Sequence, residues 1–256
     1  GWYGQCKVIR EYLPSTDLPA LIENYLLINT DKNPMFVEIP VINNRLYTDP
    51  RKGVDGSYLI EMKIDRNGYF SIQPGDTLSF SAYITGYKKG QPALVINGQQ
   101  EKLKRIEAVT SWMDNLVLET PDPIIDRMFA FSKIRACESI YETQGGPMHG
   151  PGGESYYAAI WANDQAEYIN PYFPFTGYDY GNASALNSFK HFARFMNNEW
   201  KPIPSSIVAE GLDIWNGVGD RGDAAMIAYG ASRYLLARAS REEAEQLWPL
   251  VTWCLE

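Results

Sequence analysis

The stretch Thr120–Glu142, TPDPIIDRMFAFSKIRACESIYE, is where the chain changes character. Asp122 stands where a helix N-cap belongs. Pro123 suits the first helical position, where a missing N–H costs nothing. Ile124, Ile125, Met128, Phe129 and the pair Ile140-Tyr141 then recur at helical spacing, which predicts a helix through about Glu142. Upstream the pattern is that of strands, and downstream it is that of helices.

On the N-terminal side, Tyr58, Ile60, Met62 and Ile64 alternate with more polar neighbours, Leu59 excepted, and Leu78, Phe80, Ala82 and Ile84 do the same. Period-two alternation predicts strands with one buried face, these four residues of each strand pointing inward. Asp65-Arg66-Asn67-Gly68 and Pro74-Gly75-Asp76 read as turns. Met35 to Val41 and Ala93 to Ile96 read as further strands, and Leu18 to Ile28 as a strand or a short helix. Together they predict an antiparallel β-sandwich. Glu101 to Trp112 is a mixed, charged helical stretch that suits a linker helix.

On the C-terminal side, Gln144 to Gly153 is a Gly/Pro-rich loop. A helix from near Asn182 carries Leu186, Phe189, Phe192, Ala193 and Met196 on one face. Asp223 can cap the next, which runs to about Arg238 with Ala224, Ile227, Ala228 and Leu235 inward. Ser240 with Glu243 forms a capping box for the last. The short connection between these two makes an antiparallel helical hairpin. The final helix reaches Glu256 with no stop signal while Trp248, Leu250, Val251 and Leu255 need a surface to cover. A chain that continues well beyond Glu256 is expected.

The 256 residues are 45% hydrophobic and 21% charged, enough for one large domain or two small ones. The net charge of −8 repels phosphate backbones, so nucleic acid is a poor partner. No apolar run of about eighteen residues predicts a membrane span. The odd, widely spaced Cys6, Cys137 and Cys254 form neither a disulfide framework nor a zinc site. Seven Trp, seventeen Tyr and ten Phe suit a carbohydrate binder, because pyranose C–H faces stack on rings; large domains also simply bury aromatics.

Two stretches concentrate chemistry. Gly145–Tyr180 packs Trp161, Asp164, Glu167, His149, Tyr156, Tyr157, Tyr168, Tyr172 and Tyr178 around loops. Carboxylates among rings suit sugar hydroxyls and faces, although Trp161 and the tyrosines could equally be helix core with Asp164 as its cap. Glu210–Ala225, EGLDIWNGVGDRGDAA, holds Glu210, Asp213, Asp220 and Asp223 with Trp215 and Arg221. Crowded carboxylates raise one another's pKa, which keeps one protonated as a general acid. Against this, an Asp before a helix is usually a cap, the role open to Asp223. An oxygen-rich, Gly-containing loop also suits calcium, although the spacing is not that of an EF-hand. His149 could line a site as a hydrogen-bond partner, whereas His191, beside apolar positions of its helix, fits a structural role. No catalytic triad order, phosphate loop or dinucleotide fingerprint is present.

Thr120-Pro121-Asp122-Pro123 ahead of an aromatic helix, Trp161-Ala162-Asn163-Asp164, and Gly219-Asp220-Arg221-Gly222-Asp223-Ala224-Ala225 resemble the (α/α)6 six-hairpin glycosidases. These include bacterial α-L-rhamnosidases, trehalase- and glucoamylase-like enzymes and debranching glucosidases. The resemblance covers roughly residues 115–256, and the Trp-x-x-Asp element is its more specific part. It implies a multidomain β + α chain: a β-sandwich over 1–100, a linker helix over 101–119, and over 120–256 the first part of an incomplete (α/α)6 toroid.

For function, the resemblance implies an inverting glycoside hydrolase. Trp161 and Asp164 lie at the sugar subsite, where the Asp holds hydroxyls. In the rhamnosidases the loop before the Gly-Asp helix carries a general-acid Glu. Here the matching position is Asn216, so Asp220 is taken first as the acid, then Glu210 and Asp213. Trp215, Arg221, Asp223, Tyr157 and His149 complete the expected sugar-binding set. Inversion needs a base roughly 6.5–9.5 Å from the acid. In relatives that base comes from a later hairpin, so this chain alone could bind sugar without turnover. The implied partner is a carbohydrate, with no cofactor beyond the calcium alternative, and family habit places such enzymes in the periplasm or outside the cell. A non-catalytic sugar-binding protein and a polysaccharide lyase, which would use a Tyr or His base, are the rival readings.

Overall fold

The computed structural model describes residues 2–3, 5–52, 56–150, 159–208, 213–214 and 222–256; for 2, 3, 208, 213 and 214 it describes the backbone only. The chain divides into two compact units, Gly1–Val109 and Thr110–Glu256.

The first unit is β. Its strands are β1 (Trp2–Tyr3), β2 (Cys6–Pro14), β3 (Ala20–Asn29), β4 (Met35–Ile39), β5 (Asn43–Tyr47), β6 (Tyr58–Ile64), β7 (Gly68–Ile72) and β8 (Thr77–Lys88). Six form one antiparallel sheet in the order β1-β2-β3-β8-β6-β5, and β4 pairs with β7. The ambiguous segment from Leu18 is thus a strand. It pairs with β2 and β8 over its whole length, and cross-strand packing of Ile22 and Leu27 settles it. Ile39, Ile72 and Leu78 are buried together with Leu27, Ile64, Phe70 and Phe80, which packs the β4–β7 ribbon onto the large sheet. At Gly75, φ is +83°, as the tight turn between β7 and β8 requires.

Two expectations fail here. In β6 the inward residues are Leu59 and Glu61, the latter 1% exposed, while Met62 is 39% exposed. A buried carboxylate is tolerated because every side of it is satisfied. Tyr87 Oη donates to it at 2.5 Å, Lys63 Nζ at 2.9 Å and Arg45 Nε at 2.6 Å. The expected face is buried only at one end of β6 and β8, where Ile64, Leu78 and Phe80 pack with the β4–β7 ribbon; at the other end Met62 and Ile84 are exposed, and Glu61, Thr85 and Tyr87 are the buried residues. Ala93–Ile96 is not a strand, but Ile96 is buried beside Leu13 and Ile22, so its apolar character reflects core packing.

A helix, α1 (Gly98–Asp114), follows, somewhat longer than the expected Glu101–Trp112. The Asn97 side chain caps it by accepting from the backbone N–H of Gln99 and Gln100. Any Cβ at position 98 would overlap Ser81 Oγ and Asn24 Oδ1, so glycine lets the helix start approach β3 and β8. The division between units falls within α1.

The second unit contains α2 (Pro123–Glu138), β9 (Ile140–Thr143), β10 (Gly146–His149), β11 (Ala159–Trp161), a π-helix (Asp164–Ile169), α3 (Phe173–Thr176), α4 (Asp179–Ala193), β12 (Ser206–Val208), β13 (Asp213–Ile214), α5 (Asp223–Arg238) and α6 (Arg241–Trp253). Its core gathers Met148, Ile160, Phe173, Phe189, Phe192, Ile207, Ile227, Tyr234, Leu247 and Leu250. The Asp122 cap is in place, its carboxylate accepting from Ile124 N–H at 2.8 Å. The helix nevertheless stops at Glu138, and Ile140-Tyr141 enter the β9–β10 hairpin, where a loop was expected. Gly146, at φ +91°, makes that turn. Ser240 Oγ accepts from Glu243 N–H as expected of a capping box. The Glu243 carboxylate does not reach back, however; it pairs with Arg238 at 2.7 Å.

The molecule is therefore a mixed β and α protein, with an antiparallel sheet and six α-helices among the described residues. Cys6 and Cys137 are buried and free, and Cys254, at the end of α6, is half-buried and free. No helix among the described residues is long and apolar enough to cross a membrane.

Candidate functional site

The two acidic stretches meet on a small sheet. Strand β11 is AIW and β12 is SIV, short β-branched segments whose isoleucines, Ile160 and Ile207, are wholly buried. They pair antiparallel, with Trp161 opposite Ser206, and β12 then pairs with β13, placing Val208 opposite Asp213. Just past this ladder, Ala162 N–H donates to Ser205 C=O at 2.9 Å. The Ser205 hydroxyl donates to Asp223 Oδ2 at 2.6 Å. Backbone pairing thus puts the Trp161 strand and the Asp213 strand on either side of β12, and the Ser205 side chain ties Asp223 to the end of β12 at which Trp161 stands.

Trp161 is half-buried and is the last residue of a strand rather than part of a helix. Asp164, half-buried, opens the π-helix as its first residue; the cap position belongs to Asn163. Burial pushes the Asp164 carboxyl above the ordinary Asp range, because a charge loses solvation there. The π-helix is closed by an i→i+5 bond from Asn170 N–H to Gln165 C=O at 2.9 Å. Such geometry is uncommon and frequent at functional sites. It packs on α5 so closely that a Cβ at Gly230 would overlap the Ala166 carbonyl. Arg233, further along α5, reaches the Glu167 carbonyl at 3.1 Å. Gly230 and Arg233 thus hold the middle of α5 against residues 166 and 167 of the π-helix.

Asp223 was expected as an N-cap. The cap position is instead Gly222, at φ +93°, and Asp223 is the first helical residue, 5% exposed. Its carboxylate serves Ser205, while the partial positive charge of the α5 N-terminus favours an anion there.

His149 ends β10 and is 8% exposed, its ring edge-on to Phe173. Its carbonyl accepts from Gln165 Nε2 at 2.7 Å. Neither ring nitrogen makes a hydrogen bond of normal geometry among the described residues. Burial pushes its pKa down to about 4, so the ring is neutral near neutral pH. Other buried polar atoms without a partner among the described residues are Gln165 Oε1, Asn170 Oδ1, Tyr172 Oη, Asn182 Oδ1 and Ser206 Oγ. All but Asn182 sit on or beside the π-helix and the small sheet. Water or a hydroxyl-rich ligand would satisfy such groups. Nothing in the sequence pointed to Ser205, Ser206, Gln165 or Asn170, which are single polar residues in apolar or loop settings.

His191 has the structural role expected: its ring bonds the Gly145 carbonyl at 3.0 Å and Arg194 at 3.0 Å. Asn187 Nδ2 donates to the same carbonyl and to that of Pro147, so α4 pins the hairpin that carries His149. Of the remaining predicted residues, Tyr157, Glu210, Trp215, Asp220 and Arg221 lie outside the described residues, as does Asn216, and only the backbone of Asp213 is described. The calcium alternative falls largely on those same positions. Among the described residues no group of three His, Cys, Asp or Glu side chains is arranged to hold a metal ion.

No protein-family model matches the chain, and comparison with curated proteins gives no match. Solved structures do match. A protein described as a kojibiose phosphorylase from the human microbiome superposes with a TM-score of 0.52 at 10% identity, over 90% of this chain and 39% of that one. A bacterial glucoamylase complexed with acarbose gives 0.41 at 9% identity, over 96% and 46%. The chain thus spans less than half the length of either, and the first likeness is one of fold.

Proposed function

We propose that this chain belongs to a carbohydrate-active enzyme of the (α/α)6 type that cleaves glycosidic bonds, and that it supplies the carboxylates holding and protonating the sugar. The observation that carries the reading is the β11–β12–β13 sheet with its Ser205–Asp223 bond, which joins the Trp161/Asp164 segment to the start and end of the acidic segment. The phosphorylase-like fold supports it at the level of architecture.

Trp161 offers a ring face for a pyranose, and Asp164 accepts hydrogen bonds from its hydroxyls. Asp220 is proposed as the acid that protonates the glycosidic oxygen, with Glu210 and Asp213 as the alternatives. In sequence Asp220 falls between Asp213 of β13 and Asp223 at the head of α5, the two ends of the acidic segment that the small sheet and the Ser205 bond tie down. Buried Asp223 positions Ser205 and the small sheet rather than reacting. Trp215, Arg221, Tyr157 and His149 would line the sugar. In an inverting reaction a second carboxylate activates the acceptor from the opposite face of the ring. Water as acceptor gives hydrolysis and phosphate gives phosphorolysis.

A panel of aryl glycosides, assayed with and without inorganic phosphate, tests the reading and identifies the acceptor. Asp220→Asn should lower kcat by about 10²–10⁴-fold, the usual worth of general acid catalysis. Asp164→Asn should lower kcat/KM while the fold is kept. Unchanged turnover in both variants removes the assignment. A new unsaturated product absorbing in the ultraviolet, seen with acidic glycans, would instead identify a lyase.

A further inference from the structure

A second aromatic feature lies on the helical unit and shares no residue with the site above. The loop after α4 and the last turns of α6 form an open cleft of about 390 Å³, whose lining includes Asn197, Asn198, Trp200, Thr252, Trp253 and Glu256. That volume falls within the ~300–1,000 Å³ of small-ligand sites.

Trp200 is 54% exposed and its backbone has φ +55°, a left-handed conformation that bulky residues rarely adopt. Strain of this kind persists only where surrounding contacts hold it. Here Asn197 does so. Its Oδ1 accepts from Glu199 and Lys201 N–H at 3.1 and 2.9 Å, and its Nδ2 donates to the Phe195 and Lys201 carbonyls. The Asn197 carbonyl in turn accepts from Trp253 Nε1 at 2.9 Å. The two indoles stack at 5.5 Å between centroids and 29° between planes. One residue therefore does both: the Asn197 side chain bends the loop, and its backbone carbonyl anchors the Trp253 ring on which Trp200 stacks.

Around it, the Asn198 amide makes no hydrogen bond among the described residues. Thr252 Oγ1 bonds only carbonyls of its own helix, which leaves its lone pairs to accept. The lining contains no cation to balance a phosphate or a uronate. A flat apolar ring face beside an amide, a hydroxyl and the Glu256 carboxylate, which repels anions and accepts from hydroxyls, matches a neutral pyranose.

We propose that this cleft is an ancillary binding site for a neutral oligosaccharide, with one pyranose stacked on Trp200 and its hydroxyls held by Asn198 and Thr252. The proposal rests on the cleft's own rings and amides, not on the carboxylates of the cleavage site. It is tested by binding alone: isothermal titration of the 256-residue chain with maltohexaose, cellohexaose and hexagalacturonate. We expect one of the two neutral hexaoses to bind. Trp200→Ala should weaken that binding by about tenfold or more, the usual effect of truncating a stacking aromatic anchor. Trp200→Phe should keep most of it, and Asn198→Ala should weaken it less than Trp200→Ala. Circular dichroism should show all three variants folded, since residues 198 and 200 are exposed. The proposal is overturned if neither neutral hexaose binds, if Trp200→Ala binds as wild type, if hexagalacturonate binds most tightly, or if Trp200 instead mediates self-association detected by sedimentation. Loss of turnover in Asp164→Asn with hexaose binding intact would separate the two sites.

Discussion

The Ser205 hydroxyl donates a 2.6 Å hydrogen bond to the carboxylate of Asp223, a side chain only 5% exposed. Ser205 also accepts from the backbone of Ala162, so one residue ties the Trp161/Asp164 segment to the head of α5. Removing the hydroxyl takes a donor from a buried anion, which costs about 1–3 kcal/mol. Ser205→Ala should therefore lower the urea midpoint with an unchanged m-value, and it should lower kcat/KM because the sheet carrying Trp161 loses its anchor. An unchanged midpoint would mean that the bond contributes nothing net.

Gly230 makes a different kind of prediction. Its missing Cβ is what lets α5 touch the π-helix backbone at Ala166, and backbone cannot step aside as a side chain can. Gly230→Ala should cost ~3 kcal/mol or more, despite the better helix propensity of alanine. Gly222→Ala is the control. There a Cβ meets nothing within 4 Å, and only the positive φ is unfavourable. Its cost should be about 1–2 kcal/mol. Thermal unfolding of the two variants side by side checks the order; equal losses would refute the close approach.

Glu61 lies in the β unit, where the inward face of β6 was misread. Tyr87, then Lys63 and Arg45, hold its carboxyl down to about 2. Truncation to alanine leaves the buried Tyr87 hydroxyl without its acceptor, a loss of about 1–3 kcal/mol, while Arg45 and Lys63 can turn to solvent. The sign follows from the lowered pKa: the stabilisation is complete above the unfolded value near 4.5 and is lost as pH falls toward 2. Glu61→Ala should be less stable than wild type at pH 7, with the gap closing on acidification. A gap that is constant with pH would mean that the charge is not what stabilises.

These cases show what the sequence could reveal. The existence of β8, the Asp122-Pro123 start of α2 and the Ser240 cap of α6 are local signals, decided by residues within a turn or two, and all appear in the structure, although β8 buries Ser81, Thr85 and Tyr87 and leaves Ile84 exposed. The inward face of β6 was not legible, because burial of Glu61 depends on Tyr87 and Arg45 from other strands. The end of α2 was missed because Ile140 and Tyr141 fit helical spacing, yet they pair with β10 across the Gly146 turn. The candidate site was proposed from two acidic, aromatic stretches visible in the sequence. Their junction was not, since it runs through Ser205 and Ser206, residues with no distinctive pattern, and through three strands of two or three residues each.

His149 gives the last prediction, and its sign is opposite to that of a stabilising group. Burial lowers its pKa from 6.5 to about 4, so the folded protein refuses a proton that the unfolded chain accepts. Stability must then fall as pH drops from about 6.5 to about 4, and stop falling below that, because both states are protonated. Over this window the loss amounts to ~3 kcal/mol, at about 1.4 kcal/mol per pH unit. His191, also lowered chiefly by burial, adds to the slope, whereas Asp164, whose carboxyl is raised, opposes it near the acidic end. The Glu61 contribution begins only below about 4.5, so the interval from 6.5 to 5 reads the histidines. His149→Phe removes two ring nitrogens that have no partner among the described residues, keeps a ring against Phe173, and should flatten the dependence of the urea midpoint in that interval. A variant that keeps the full wild-type slope would show that His149 is protonated inside the folded protein, and hence that its ring nitrogens have found an acceptor.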